Sequence, residues 1–101
     1  MFIYNVTTQI YHQIHEAWIV WMREKHIPEV METGCFARFQ LVRLLEVDET
    51  ETVTYATQYY ANSKADYNRY IALHATALKA DAQKTWGTNT IGFRSLMEVV
   101  L

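Results

Sequence analysis

The hydrophobic spacing of this chain switches between a period of two and a period of three to four, and back, twice over. That alternation leaves very few folds open. Phe2 to Ile10 is rich in β-branched and aromatic residues, with Tyr4, Val6, Thr8 and Ile10 on one face of an extended strand. From Tyr11 the spacing lengthens: Tyr11, Ile14, Trp18, Trp21 and Met22 mark one apolar stripe on a helix. Pro28 lacks an N–H and its ring clashes with the preceding turn, so it is expected to break or kink that helix. Pro28 to Glu32 can start a second short helical piece, and Gly34 is a natural stop.

The shorter period returns over Phe36 to Val47 and again over Thr52 to Ala61, joined by Asp48-Glu49-Thr50-Glu51, the composition of a solvated hairpin turn. Ser63-Lys64-Ala65-Asp66 resembles a capping box at the start of a second helix. That helix carries Tyr67, Tyr70, Ile71, His74 and Leu78 on one stripe and ends near Trp86-Gly87. Thr90 to Leu101 reads as the last strand, in which Gly92 points to a bulge or a close backbone approach. The order βαββαβ over 101 residues predicts a single α+β domain, residues 1–101, of the ferredoxin-like kind. Its four-stranded antiparallel sheet would carry both helices on one face.

Such a sheet has a second, open face. Counting by twos puts Ala37, Phe39, Leu41 and Leu45 on the more apolar side of the second strand, and Ile91, Phe93, Met97 and Val99 on that of the last. Arg38, Gln40, Gln58, Arg94 and Glu98 then fall on the open face, in company with Phe36, Val42, Leu44, Leu96 and Val100. That face is too apolar to stand in water, and the edge strands are poorly guarded by charge. A homodimer packed through the open sheet face is expected.

Composition removes other classes. Half the residues are hydrophobic, 14% are aromatic and 20% charged, the balance of a folded domain rather than a disordered one. No apolar run approaches the roughly 20 residues that span a bilayer, so no membrane role is expected. MFIYNVTTQIY has no basic stretch or small-residue cleavage site, so it does not read as a secretory signal. A lone Cys35 cannot form an internal disulfide, which suits a reducing cytoplasm. The net charge of −2 offers nothing to nucleic acid, and the third strand, TVTYATQYYA, lacks the Lys, Arg and Gly of an RNA-recognition strand. Gly-rich phosphate loops, Cys-x-x-Cys pairs and nucleophile elbows are absent.

Several side chains could carry chemistry. His74 lies on the stripe of the second helix, either as a hydrogen-bonded core residue or as a general base or axial ligand facing a pocket between helix and sheet. His26 and Glu29 straddle Pro28, either as a polar helix end or as an imidazole oriented by a carboxylate. Trp18, Trp21 and Met22 are core residues or the wall of a cavity for an aromatic ligand. Tyr55, Tyr59, Tyr60, Tyr67 and Tyr70 carry the same ambiguity. His12 and His15 have a spacing that could bind a metal, but no third ligand is fixed, and neither a metal site nor a cofactor is expected. Arg94 and Glu98 suit an ion pair across a dimer axis or an anion-binding lumen.

The runs Ile3-Tyr4-Asn5-Val6, Trp18-Ile19-Val20-Trp21-Met22, His26-Ile27-Pro28-Glu29-Val30-Met31 and Arg43-Leu44-Leu45-Glu46, with Tyr55, Gln58-Tyr59 and Phe93-Arg94, resemble a family of short bacterial proteins of unknown function. That family looks like a branch of the dimeric α/β-barrel superfamily. The resemblance implies paired ferredoxin-like subunits whose sheets share a barrel. It also implies kinship with cofactor-independent antibiotic-biosynthesis monooxygenases, haem-degrading enzymes, small isomerases and stress-responsive proteins. The haem-degrading relatives use an asparagine on the first strand, a tryptophan, and a histidine on the second helix. Asn5 and His74 match two of these, whereas Ser63 to Tyr70 contains no tryptophan.

The resulting expectation is a cytoplasmic homodimer whose helix–sheet cleft binds a small apolar or aromatic molecule. It would act as a cofactor-independent monooxygenase or isomerase, with His74 as base and Asn5, Trp18, His26, Tyr55, Tyr59 and Tyr70 around the ligand. The competing expectations are a haem-binding protein and a non-catalytic structural or regulatory dimer whose cleft its own side chains fill.

Overall fold

Both edges of β1 (Phe2–Tyr11) find antiparallel partners in the computed structural model, which describes residues 1–101. On one side lies β3 (Thr52–Ala61), with Phe2 opposite Ala61 and Tyr11 opposite Thr52. On the other lies β4 (Thr90–Glu98), with Phe2 opposite Glu98 and Ile10 opposite Thr90. Strand β2 (Arg38–Arg43) adds outside β3, giving the order β2-β3-β1-β4. This is the ferredoxin-like α+β arrangement.

Strand parity then decides the core. Tyr4 and Ile10 of β1 and Val53, Tyr59 and Ala61 of β3 share one face, and the buried helical residues pack onto it: Trp18, Met22, Ile27, Val30, Tyr70 and Ala75. Ile10 and Val53 face each other across the strand pair and are 0% and 1% exposed. Each such aliphatic contributes about 1.5–3 kcal/mol by leaving water. No helix is long and apolar enough to cross a membrane.

Pro28 does not break the helix, and the irregularity expected there takes the form of a π-helical turn just ahead of it. Helix α1 (His15–Trp21), a π-helical turn (Met22–His26) and α2 (Ile27–Glu32) run on as one rod. In a regular α-helix residue 28 would donate to the Glu24 carbonyl, and a proline ring would press on it. Here the turn is wider: the Ile27 N–H reaches back five residues to the Met22 carbonyl, and the proline is accommodated inside the rod. Gly34, at φ +73°, lies just beyond the rod's end.

Helix α3 (Lys64–Leu73) starts as its sequence suggests, with the Asp66 N–H donating to Ser63 Oγ at 3.1 Å. The Asp66 carboxylate turns to Arg69 instead of closing the box. The expected single helix is interrupted at His74 (φ −125°, ψ −34°) and resumes as α4 (Ala75–Trp86). Tyr67, Tyr70 and Leu78 keep to the core side, but Ile71 is 37% exposed, so the stripe does not run straight through His74.

Two further expectations are corrected. Strand β2 is shorter than Phe36–Val47. Phe36 leaves the sheet and is buried against Tyr4, Tyr59 and Tyr70. Beyond Arg43 the chain turns away, with Glu46 at φ +60° and Asp48 Oδ1 accepting from both the N–H and the hydroxyl of Thr50. Strand β4 has the opposite phase to the one expected. Arg94 and Glu98 stand opposite Val6 and Phe2 on the helix side, so Ile91, Phe93 and Met97 point to the open face. The register is continuous through Gly92, whose role is close approach: a Cβ there would lie 3.1 Å from the Thr7 carbonyl oxygen.

Candidate functional site

Between the α1–α2 rod, α4 and the sheet lies a cleft of about 200 Å³. The π-helical turn places His26 on its wall. Residues five apart approach one another in that wider turn, and the His26 ring stacks on Trp21 at 4.6 Å and 18°. Trp86, the last residue of α4, meets Trp21 edge-on at 5.7 Å. It is followed by Gly87, whose φ of +56° and ψ of −124° suit glycine alone. From below, β1 and β3 contribute Tyr4 and Tyr59, and β4 contributes Arg94, which donates from Nε to Tyr4 Oη at 2.7 Å.

Three buried polar atoms have no hydrogen-bond partner within the protein: His26 Nδ1, Tyr59 Oη and Trp86 Nε1. All three residues line this cleft, and they come from three different elements. An orphaned polar atom costs about 1–3 kcal/mol, and an internal water or a bound molecule would supply each of these with the partner that the chain does not.

The same burial sets protonation. It holds His26 below the usual histidine range. Glu29 and Asp81 pull the other way, while Lys25 and Arg94 reinforce the depression. The imidazole is therefore neutral near pH 7 and available as an acceptor or base. Burial pushes the Tyr59 and Tyr70 hydroxyls up, well above the ordinary tyrosine range, so both keep their protons. Tyr4 is raised by burial too, with Arg94 moderating the rise.

Of the residues expected around a ligand, the cleft gathers Trp18, His26, Tyr59 and Tyr70. Tyr55 lies apart, packed on Trp18 and sharing a 2.8 Å hydrogen bond with His15 Nε2. Asn5 has the opposite parity to Tyr4, which puts it on the open face, where its amide donates to Thr7 Oγ1 at 3.0 Å. His74 does not line the cleft. It sits at the interruption between α3 and α4, with its backbone N–H on the Tyr70 carbonyl. Asn5 and His74 therefore do not converge, and the residues matched to haem chemistry do not fit that group. His12 donates to the Glu49 carbonyl at 2.6 Å, and no three of His, Cys, Asp and Glu gather as a metal set.

Arg94, Trp86, Lys79 and Tyr4 are among the cleft residues that sequence reasoning did not place around a ligand. Trp21 is readable as a cavity wall, but its pairing with His26 depends on the π turn. Arg94 was put on the wrong side by the inverted phase of β4.

The comparisons agree on the architecture. A family described as a domain of unknown function, DUF4286, matches residues 1–100. No curated protein matches the chain. A dimeric ferredoxin-like protein from an uncultured marine organism is similar at TM-score 0.74 and 18% identity, over 99% of this chain and 95% of its own. An EthD family protein from Bacillus halodurans matches at 0.69 and 14%, over 99% and 100% of the two chains. SnoaB, a cofactor-independent oxygenase from Streptomyces nogalater, matches at 0.58 and 16%, over 97% and 92%. At these identities the likeness is one of fold.

Proposed function

The chain belongs to the DUF4286 family, whose description assigns no reaction, and we propose from its cleft that it binds a small, planar, largely apolar or aromatic molecule with neutral His26 as the base that serves it. The observation that carries this reading is that one tryptophan-walled cleft is lined by three residues whose buried polar atoms have no partner in the chain. Trp21, Trp86 and Tyr70 line the cleft with aromatic surface against which a planar molecule can lie.

Removal of a proton beside a carbonyl is a step common to isomerisation and to oxygenation without a cofactor. In that step the C–H bond breaks, a His26 N–H forms, and the electron pair moves onto the carbonyl oxygen. The reading replaces His74 by His26 as the base, because only His26 faces the cleft. It also includes a homodimer through the open sheet face, supported by the exposure of Ile91 (55%) and Phe93 (63%) there and by the dimeric neighbour.

The test joins native mass spectrometry of gently purified protein to tryptophan fluorescence under titration with planar aromatics. Saturable quenching, and hydrogen–deuterium exchange of an acidic C–H on the bound molecule that is lost in His26→Phe, is the expected result. A bare mass with no quenching by any planar aromatic would overturn the reading and leave the cleft filled only by water. Quenching without His26-dependent exchange would keep the site and remove the base.

A further inference from the structure

We propose that the cleft is built for an anion, namely a planar aromatic or conjugated molecule carrying a carboxylate, phenolate or enolate oxygen, with Arg94 and Lys79 as its charge partners. The inference rests on the ligand-binding reading above and adds the class of ligand.

Beside His26 and the threonine and glutamine side chains, which can accept, the cleft has a set of groups that only donate or are left to donate. Trp86 Nε1 can only donate, it is buried, and it has no acceptor. Tyr59 is 2% exposed and keeps its proton, and its hydroxyl is likewise without a partner. Tyr4 Oη already accepts from Arg94 Nε, which leaves its own hydrogen free to be donated. Two cations line the same space, Arg94 from β4 and Lys79 from α4, and no carboxylate lines it. Neither cation makes an ion pair in this structure, so both charges are free to meet an anion. A chain with net charge −2 has acids to spare, yet none is placed opposite these two. Asp81 and Glu29 lie near enough to act on His26, but their oxygens are held by Lys25 at 2.9 Å, outside the cleft lining.

Arg94 is positioned for this role. Its partner Tyr4 is wedged among Phe36, Tyr59, Tyr67 and Tyr70, so the guanidinium is anchored through Nε with its two terminal nitrogens left to face a ligand. Planar bidentate recognition of a carboxylate is the geometry that such a fork supplies.

The discriminating probes are 2-naphthoate and its neutral isostere 2-naphthamide, titrated into the wild-type protein by fluorescence and calorimetry. The expected result is binding of the anion at least about tenfold tighter than the amide, as a charge-assisted hydrogen bond implies. Arg94→Met should erase that preference, Arg94→Lys should restore part of it, and added salt should shrink it. Arg94 is an exposed residue on an edge strand, so the variants should keep the wild-type far-ultraviolet circular dichroism. Equal binding of the two probes would overturn the anion inference while leaving the ligand-binding reading intact. Absence of binding by both would overturn the two together. A preference that survives in Arg94→Met would overturn the role of Arg94.

Discussion

Tyr59 is 2% exposed and stacks within the aromatic cluster, yet its hydroxyl bonds to nothing in the chain. Tyr59→Phe is therefore expected to leave stability unchanged or raise it by up to about 1 kcal/mol, where a satisfied buried hydroxyl would cost about that much to remove. Urea unfolding measures it, and a loss beyond 1 kcal/mol would mean that the hydroxyl has a partner in solution, such as an internal water. His26 carries the second residue-scale prediction. Its folded pKa lies below the ordinary 6.5, so on acidification the unfolded chain takes up the proton first. Stability should then fall as pH drops through about 6.5, against the opposing pull of Glu29 and Asp81. His26→Phe, which keeps a ring on Trp21, should remove that part of the slope between pH 7.5 and 5.5. An unchanged slope would show that His26 does not set it. His26 could be singled out in the sequence beside Pro28 and Glu29, but its ring partner could not. Trp21 precedes it by five residues, a spacing that places two side chains together only in a π turn.

At the scale of elements, the strands and helices were legible because their periods differ, and the Ser63 cap was legible because a serine before a helical stripe has one common use. Helix continuity was not. Neither the rod through Pro28 nor the interruption at His74 follows from residue types, since a backbone bond shifted by one residue decides the first. The phase of β4 failed for a different reason. Ile91, Phe93 and Met97 are more apolar than Gly92 and Arg94, and the inward rule assigns the greasier set to the core of one subunit. Gly87 joins α4 to the entry of β4 and gives the element-scale prediction. Its backbone conformation is one that side chains rarely adopt, and open space around it means that strain alone is at stake. Gly87→Ala should destabilise by about 1–3 kcal/mol and shift the emission of neighbouring Trp86. A neutral result in thermal unfolding would show that the turn has another conformation available.

At the scale of the molecule, Phe93 and Ile91 are 63% and 55% exposed on a face with no helix over it. Under the homodimer proposal that face is an interface, and Phe93→Glu should bury an uncompensated charge there. Light scattering after gel filtration should report half the wild-type mass with circular dichroism unchanged. A wild-type protein that is already monomeric at micromolar concentration would defeat the proposal. So would a Phe93→Glu protein that stays paired. The apolar open face was readable in the sequence even though its membership was not. Three apolar residues of β4 had to face something, and either phase left too much grease for water.

The π turn has a consequence for insertions and deletions. It holds one residue more than a regular helix would use to cover the same turn, so it works as a phase offset between the two halves of the rod. Trp18 and Met22 point into the core ahead of the offset, and Ile27 and Val30 point into it behind. Excision of a single residue between 22 and 26 would return the proline to a regular helix, where its ring presses on a carbonyl, and would turn one side of the cut by about 100°. One of those pairs would then swing out into water. The surplus residue keeps both halves in phase with one sheet, and this small irregularity in a helix fixes where His26 looks.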